Sequence, residues 1–400
     1  MDVRIAPDAP AGMAMDPDRR KTEAPIPMRA AHTPNFPALL RRIGASLLVT
    51  TYQAGKLVMV RDEGDHLNTH FRAFQAPMGM ALAGDRLAVG AKLQVWEFVD
   101  VPAVAAKLDP PSRHDACFLP RSSHVTGNIQ IHEMAWGVGG ELWVVNTRFS
   151  CLCTLDGSAS FTPRWRPPYV SALEPTDRCH LNGLGMVDGR PRYVTALGET
   201  DEPAGWRANK ARGGILIDVV SGDVITRGLS MPHSPRWYAG RLWVCNSGAG
   251  TIGSININSG KYEPIAEAPG FTRGLDFAGN LAFVGLSQVR ESAVFSGIPI
   301  TERLTEEERT CGVCVIDLTT GQAVALLRFE TAVQEVFAVT VLPGRRYPDL
   351  INDDETLLEN SFVVPSAALA DVPASLRTPA DPIPGAAGAA GNGRVPRNPL

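Results

Sequence analysis

The sequence predicts an all-β chain folded as a single six-bladed β-propeller, and two repeated patterns support this prediction. The strand phrase LWVVN at Leu142–Asn146 returns as LWVCN at Leu242–Asn246, with weaker copies at intervals of roughly forty to sixty residues. In the second pattern, Gly follows an Asp or Asn by four positions, as it does after Asp218, Asn256 and Asp317. Such residues form tight turns, so each copy indicates a hairpin between two outer strands of a blade.

These repeats assign strands to blades, and we count the strands of each blade outward from the axis. The predicted innermost strands lie near Met78–Leu82, Ile131–Trp136, Leu184–Val187 and Gly274–Phe277. Second strands are predicted at Leu87–Ala91, Leu142–Asn146, Tyr193–Leu197, Leu242–Asn246 and Leu281–Leu286. Third strands are predicted at Cys151–Leu155, Ile215–Asp218 and Val313–Asp317.

The N-terminal blade lacks an innermost strand of its own. Its second and third strands are predicted at Ser46–Tyr52 and Leu57–Val60, and no strand precedes them. We predict that Val336–Val341 supplies the missing strand and closes the ring, because closure removes exposed sheet edges. This interpretation gives six blades. A seven-bladed ring, with Phe362–Val364 in the last blade, is the alternative.

Both ends of the chain differ in composition from the part between them. Residues 1–35 carry many Pro, Ala and charged residues without periodicity, which indicates a flexible tail. Residues 371–400 are rich in Pro, Gly and Ala and are predicted to be disordered. The propeller domain is therefore predicted to span residues 36–370.

Composition and charge limit the classes of partner. The 400 residues are 44% hydrophobic and carry a formal net charge of −4, so the basic surplus typical of nucleic-acid binding is absent. No apolar run is long enough to cross a bilayer, and Met1–Lys21 lacks the apolar core of a secretory signal. Seven cysteines, an odd number, favour a reduced, cytoplasmic location. The sequence does not indicate the oligomeric state.

Polar side chains recur on one predicted face of the propeller. The starts of the innermost strands, the ends of the second strands and the loops that follow them share this face. Long insertions also reach it: residues 199–212 contain Trp206, Arg207 and Lys210, and residues 287–310 contain Arg290 and Glu291. Long loops on a rigid scaffold commonly carry binding sites. The predicted ligand-binding residues on this face are Asn146, Asn182, Asn246, Trp206, Lys210 and Glu335.

Three histidines from adjacent blades suggest a metal centre on the same face. Neutral imidazoles of His132, His180 and His233 would suit Zn²⁺ or Fe²⁺, with one coordination position open. Glu133 would then serve as a general base, and Arg207 or Arg273 would hold an anionic substrate group. These last three residues are the predicted catalytic residues.

Two alternatives compete with this metal centre. The histidines could instead cap strands and hydrogen-bond the backbone of neighbouring blades. Oxygen atoms of Glu133, Asn146, Asn182 and Asn246 could instead bind Ca²⁺. Against the calcium site, an Asn at the end of a strand commonly bonds the backbone of the following turn.

Five segments carry a resemblance to a known family. They are NTRFSCL at Asn146–Leu152, HLNGLG at His180–Gly185, GWRANK at Gly205–Lys210, MPHSPRW at Met231–Trp237 and FTRGL at Phe271–Leu275. The chain resembles a large, uncharacterised bacterial family of conserved hypothetical proteins, a domain of unknown function of the propeller type. The resemblance spans about Phe36–Ala370 and implies the fold, but it implies no activity and no catalytic residues.

The sequence thus predicts a propeller that binds a small molecule or a peptide at its polar axial face. Metal-assisted hydrolysis or lyase chemistry is one use of such a face, and whether the protein is an enzyme stays open. The alternative is a non-catalytic scaffold for protein interactions, which would show exposed apolar patches. Fold alone does not decide between them.

Overall fold

The computed structural model describes residues 27–289 and 296–373, and its strands form six sheets in a ring. The innermost strands of consecutive sheets contact one another around the axis. The six-bladed propeller is therefore confirmed. Most of both predicted tails lies outside the described residues, as do Arg290, Glu291 and Phe295.

Each blade is built on an antiparallel sheet, and its strands are named in order from the axis outward. Blade 1 contains β25 (Ala338–Pro343), β2 (Ala45–Thr50), β3 (Lys56–Glu63) and β4 (His66–Ala73). Blade 2 contains β5 (Met80–Ala83), β6 (Arg86–Gly90), β7 (Gln94–Asp100), β8 (Ala116–Val125) and a fifth strand, β26 (Pro348–Leu350), which runs parallel to β8. Blade 3 contains β9 (Ile131–Trp136), β10 (Leu142–Asn146), β11 (Cys151–Thr154) and β12 (Thr162–Trp165).

The other three blades follow in chain order. Blade 4 contains β13 (Leu181–Val187), β14 (Arg190–Ala196), β15 (Gly214–Asp218) and β16 (Val224–Leu229). Blade 5 contains β17 (Pro232–Tyr238), β18 (Arg241–Asn246), β19 (Thr251–Ile255) and β20 (Tyr262–Glu267). Blade 6 contains β21 (Phe271–Ala278), β22 (Leu281–Ser287), β23 (Gly312–Asp317), β24 (Ala323–Phe329) and β1 (Ala30–His32). The α-helices are α1 (Phe36–Ile43), α2 (Pro102–Ala105), α3 (Pro299–Arg303) and α4 (Glu355–Leu358).

The C-terminal strand closes the ring as predicted. β25 pairs with β2, with Val339 opposite Val49 and Val341 opposite Leu47. Phe362–Val364 is exposed and belongs to no strand, so it does not form a seventh blade.

The folded part begins earlier than the sequence suggested. β1 lies within the segment interpreted as a flexible tail, and it covers the outer edge of blade 6 by pairing with β24. Three residues, Ala-Ala-His, are too short a run to show periodicity. β1 forms at this position because the outer edge of β24 would otherwise stay unpaired.

The core consists of apolar layers between neighbouring blades. Leu47 and Phe283, for example, share one buried cluster at the junction of blades 1 and 6. All seven cysteines are free and buried. No helix in the described part of the chain is long and apolar enough to span a membrane.

Four innermost strands are irregular near their beginnings. The register between β9, β13, β17 and β21 and their second strands shifts by a β-bulge. In β21 the bulge contains Gly274 at φ 80°, and a Cβ atom there would lie 2.7 Å from the backbone nitrogen of Val339. Bulges re-aim side chains. They place polar side chains of these strands at the axis.

Candidate functional site

A single arginine blocks the middle of the axial channel. Arg236 in β17 donates from Nε to the carbonyl oxygen of Leu275 (3.1 Å) and from Nη1 to that of Leu184 (3.2 Å). Its Nη2 pairs with a carboxylate oxygen of Glu133 in blade 3. The guanidinium therefore joins blades 3, 4, 5 and 6, and we call the pair Arg236–Glu133 the axial plug.

Both carboxylate oxygens of Glu133 are engaged in the axial plug or beside it. Its second oxygen accepts a hydrogen bond from the backbone nitrogen of Leu184 (2.8 Å). Burial alone would lower the pKa of Arg236, but attraction to Glu133 outweighs burial, and the pKa is raised. The carboxylate predicted as a general base is thus committed to a structural ion pair.

His132 lies above the plug at the start of β9. Its Nδ1 is 3.1 Å from the carbonyl oxygen of Gln130 and 2.8 Å from the hydroxyl of Thr147. That hydroxyl donates to the carbonyl oxygen of Leu181 (2.5 Å), so toward His132 it accepts. Both partners require a proton on Nδ1, which leaves Nε2 of the neutral ring as a hydrogen-bond acceptor or metal ligand.

His233 repeats this arrangement two blades further on. Its Nδ1 is 2.9 Å from the carbonyl oxygen of Met231 and 3.0 Å from the hydroxyl of Ser247. Like Thr147, Ser247 directly follows the Asn that ends the second strand of its blade. His132 and His233 are therefore equivalent positions, and each presents an unprotonated Nε2 when neutral.

His180 occupies a different position. It stands two residues before Asn182, and Asn182 is the residue of blade 4 that is equivalent to His132. The backbone of His180 is left-handed at φ 51°. Its Nδ1 contacts both oxygens of Asp177, at 2.9 and 3.0 Å. The same carboxylate accepts from Nε1 of Trp206 (3.0 Å), whose ring centre lies 4.5 Å from that of the imidazole.

The spacing of the three imidazoles is uneven. The ring centres of His132 and His180 are 4.8 Å apart, and those of His132 and His233 are 6.5 Å apart. Rings that share a tetrahedral zinc ion have centres about 5 Å apart, since Zn–N bonds are about 2.0–2.1 Å long. The first pair fits and the second is too wide. Within residues 27–289 and 296–373, no three His, Cys, Asp or Glu side chains are spaced to hold one metal ion.

Arg273 forms a second ion pair beside the histidines. Its Nη1 donates to Glu335 (2.9 Å), and its guanidinium carbon lies 3.4 Å from the ring centre of Phe337. Burial lowers the pKa of Arg273 to about 10. The charges of Arg273, predicted as catalytic, and Glu335, predicted as ligand-binding, thus partly neutralise each other.

A cavity of about 20 Å³ lies between the plug and the imidazoles. That volume is enough for about one water molecule. Its lining includes His132, His233, Asn182 and Arg273. Nδ2 of Asn182 and Nε of Arg273 are buried and have no hydrogen-bond partner among the described residues. Buried polar atoms without partners are rare in native proteins and require an explanation such as a ligand or water.

The side-chain oxygens of the three asparagines each accept one hydrogen bond. Oδ1 of Asn146 accepts from the backbone of Phe149 (3.0 Å), and Oδ1 of Asn246 accepts from that of Ser230 (2.7 Å). Oδ1 of Asn182 accepts from a threonine hydroxyl at 2.7 Å. Asn146 and Asn246 act as backbone caps, which is the competing interpretation of these residues.

The insertion of blade 4 contributes one side chain directly. Trp206 is buried and contacts His180, whereas Arg207 is exposed and stacks on the indole, 4.6 Å from its centre. Lys210 is partly buried further along this insertion. In the insertion of blade 6, Ile298 packs into the same apolar cluster as Trp206.

Several residues of this site escaped the sequence interpretation. They are Arg236, Asp177, Thr147 and Ser247, together with Asp276 at the other end of the channel. Two signals were available. Charged residues inside innermost strands are unusual, because those strands are otherwise mostly apolar, and a hydroxyl residue after the strand-ending Asn occurs in two blades.

Acid is expected to destabilise the protein through the buried histidines. Burial, with the nearby charges of Arg273 and His180, lowers the pKa of His132 and His233 well below 6.5. Below pH 6.5 the unfolded chain therefore binds protons that the folded chain does not. The free energy of unfolding should decrease as the pH is lowered, by up to about 1.4 kcal/mol per pH unit for each ring. Urea unfolding between pH 7.5 and 5.5 measures this slope.

The variant His233→Gln is expected to show a shallower pH slope than the natural chain. His66→Gln is the matched control, since the His66 side chain is 59% exposed. Equal slopes for His233→Gln and the natural chain would contradict the expectation.

The chain matches a known family model over most of its length. The family model described as "Domain of unknown function (DUF4915)" matches residues 34–351. The chain belongs to this family. Membership agrees with the resemblance seen in the five segments and with the propeller fold. A search of curated proteins found no match to this DUF4915 protein.

Two solved structures that resemble the DUF4915 protein share little sequence with it. A chain of the nidogen/laminin complex shares 11% identity with a TM-score of 0.48, covering 74% of this chain and 98% of that chain. A protein of unknown function from Bacteroides caccae, solved at 1.35 Å, shares 10% identity with a TM-score of 0.47 and the same coverage. These values carry no argument about function.

Proposed function

We propose that the protein binds a small molecule at the histidine mouth, the axial end formed by His132, His180, His233, Asn182 and Arg273. One observation carries the proposal: unprotonated imidazole nitrogens and unpartnered buried donors line the same cavity. A ligand group there would satisfy atoms that the described residues leave unsatisfied. Polar groups converging in a concave site are the usual mark of a small-molecule site.

The unpartnered atoms indicate the chemistry of the ligand. Nδ2 of Asn182 and Nε of Arg273 are donors, so they favour a carboxylate or carbonyl oxygen. Nε2 of neutral His132 and His233 accepts, so it favours a hydroxyl or amine hydrogen. A molecule with both groups adjacent, such as a hydroxycarboxylate, an amino acid or the end of a peptide, meets both requirements.

Proton transfer at this mouth would fall to the imidazoles. Glu133 is held by the plug, and neutral His132 and His233 are the remaining proton acceptors in the lining. A positioned neutral imidazole is a common general base. Lyase or hydrolase chemistry at this site would therefore depend on a histidine and not on Glu133.

A metal ion is the second candidate occupant. Each of the three histidines holds its Nδ1 against an oxygen acceptor, the arrangement that orients metal-bound imidazoles. His132 and His180 have the spacing for one zinc or iron ion, while His233 would have to move closer. This candidate predicts about one equivalent of metal in the purified protein.

Titration calorimetry with glycolate, glycine and acetamide tests the main proposal. We expect saturable binding of at least one of these probes, weakened at least tenfold in Asn182→Ala and in His132→Gln. Asn258→Ala, in an exposed turn, is the matched control and should bind like the natural chain.

Elemental analysis of protein purified without chelators separates the two occupants. About one equivalent of zinc or iron, lost in the double variant His132→Ala/His180→Ala, would support the metal. Absence of both probe binding and stoichiometric metal would overturn the use of this mouth as a small-ligand site.

A further inference from the structure

The opposite end of the axial channel contains a far larger cavity, of about 680 Å³. It lies on the other side of Arg236, which lines both this cavity and the small one at the histidine mouth. Sites for small molecules typically measure about 300–1,000 Å³. The volume is thus sufficient for a whole ligand.

The walls of this cavity are mostly apolar and come from the innermost strands of all six blades. They include Met80, Leu82, Met134, Trp136, Met186 and Phe277. Methionine side chains are unbranched and polarisable, so they adapt to ligands of irregular shape. Trp237, 37% exposed, lies at the cavity as well, which indicates an opening to solvent.

The charged groups at this cavity are unbalanced. Asp276 lines it and makes no ion pair within the described residues, although Arg236 with Glu133 forms a closed pair nearby. The oxygens of Asp276 accept from the backbone nitrogens of Val341 (2.8 Å) and Phe277 (2.9 Å). Burial raises the pKa of Asp276, although the backbone amide of Val341, the charge of Arg236 and the backbone amide of Phe277 act in the opposite direction.

The existing hydrogen bonds distinguish between ligand charges. Arg236 already donates to Glu133, Leu184 and Leu275, so it has little capacity left for an anionic ligand. A carboxylate oxygen has two lone pairs, and each oxygen of Asp276 uses one for a backbone amide. Acceptor capacity and negative charge therefore remain at Asp276.

We propose that this cavity binds a small amphipathic cation, an amine whose ammonium group pairs with Asp276 while its apolar body contacts the methionine and aromatic walls. The site uses none of the residues of the histidine mouth and is separated from it by the axial plug. The proposal therefore stands independently of the proposed function.

Binding can be measured with three probes that share one apolar body. Hexylammonium, hexanol and hexanoate differ in head-group charge, and tryptophan fluorescence reports binding because Trp136 and Trp237 line the cavity. We expect hexylammonium to bind at least tenfold more tightly than hexanol, and hexanoate to bind most weakly. Equal affinity for hexylammonium and hexanoate, or no binding of hexylammonium, would overturn the proposal.

Two variants separate the head-group contact from the cavity itself. Asp276→Asn is expected to reduce hexylammonium affinity to that of hexanol, whereas Asp317→Asn, at the end of β23 and outside the cavity lining, is expected to leave it unchanged. Because Asp276 also caps two backbone amides, Met186→Trp provides a second test that fills the cavity without removing the carboxylate. Unchanged hexylammonium binding in Met186→Trp would place the binding elsewhere and refute the proposal.

Discussion

Replacing Arg236 by Met is expected to lower the free energy of unfolding by about 3–5 kcal/mol, since removing this partly buried cation leaves the buried carboxylate of Glu133 uncompensated. Glu133, 7% exposed, would lose its cation, and two backbone carbonyls, of Leu184 and Leu275, would lose a donor. The side chain joins four of the six blades at the axis, so little rearrangement can compensate. Urea unfolding followed by circular dichroism measures the change.

Two comparisons make the Arg236→Met result specific. Arg328→Met removes the exposed partner of Glu330 and is expected to cost no more than about 1 kcal/mol. The double variant Glu133→Gln/Arg236→Met removes both charges, so it should be more stable than Arg236→Met alone. If Arg236→Met proves no more costly than Arg328→Met, the axial plug is not a major source of stability.

Replacing Leu342 by Asp is expected to destabilise the protein by more than about 4 kcal/mol, because it places an unpaired carboxylate in a dry core. Leu342 is fully buried in β25, the strand that closes the ring. It packs against residues of blades 1 and 2, among them Leu48 and Phe118. Opening this junction would expose the sheet edge of β2 as well as the apolar layer.

The same type of substitution at Val220 provides the control. Val220 is 72% exposed in a hairpin turn of blade 4, so Val220→Asp should change the free energy of unfolding by no more than about 0.5 kcal/mol. Thermal unfolding of both variants, with size-exclusion chromatography to detect aggregation, gives the comparison. Similar stabilities for the two variants would show that ring closure does not depend on the packing of β25.

The two ends of the channel differ in a way that matters for function. The histidine mouth has unpartnered polar atoms but space for about one water molecule, whereas the opposite cavity has volume and apolar walls with one carboxylate that lacks an ion pair among the described residues. Arg236 contacts both spaces. A ligand at either end therefore lies against the same plug, and variants of Arg236 should affect both binding assays.

The number of blades and the closure of the ring followed from the sequence. Strand phrases and turn signals repeat because each blade must form the same sheet, and closure followed because an open ring would leave edges unpaired. The histidine face followed as well, since strand direction alone assigns the starts of the innermost strands to one end. β1 did not follow, because three residues carry no periodicity and only the unpaired edge of β24 explains their pairing.

Side-chain partners at the axis depended on the tertiary structure. Arg236 meets Glu133 across 103 positions of sequence, and His180 reaches the histidine mouth from a left-handed residue that is not equivalent to His132 or His233. Bulges in the innermost strands shift the register locally, so the alternation of side chains no longer predicts which of them face the channel. The repeats therefore predict the backbone of the propeller, whereas the side-chain contacts at the axis form where bulges and a left-handed residue interrupt the repeats.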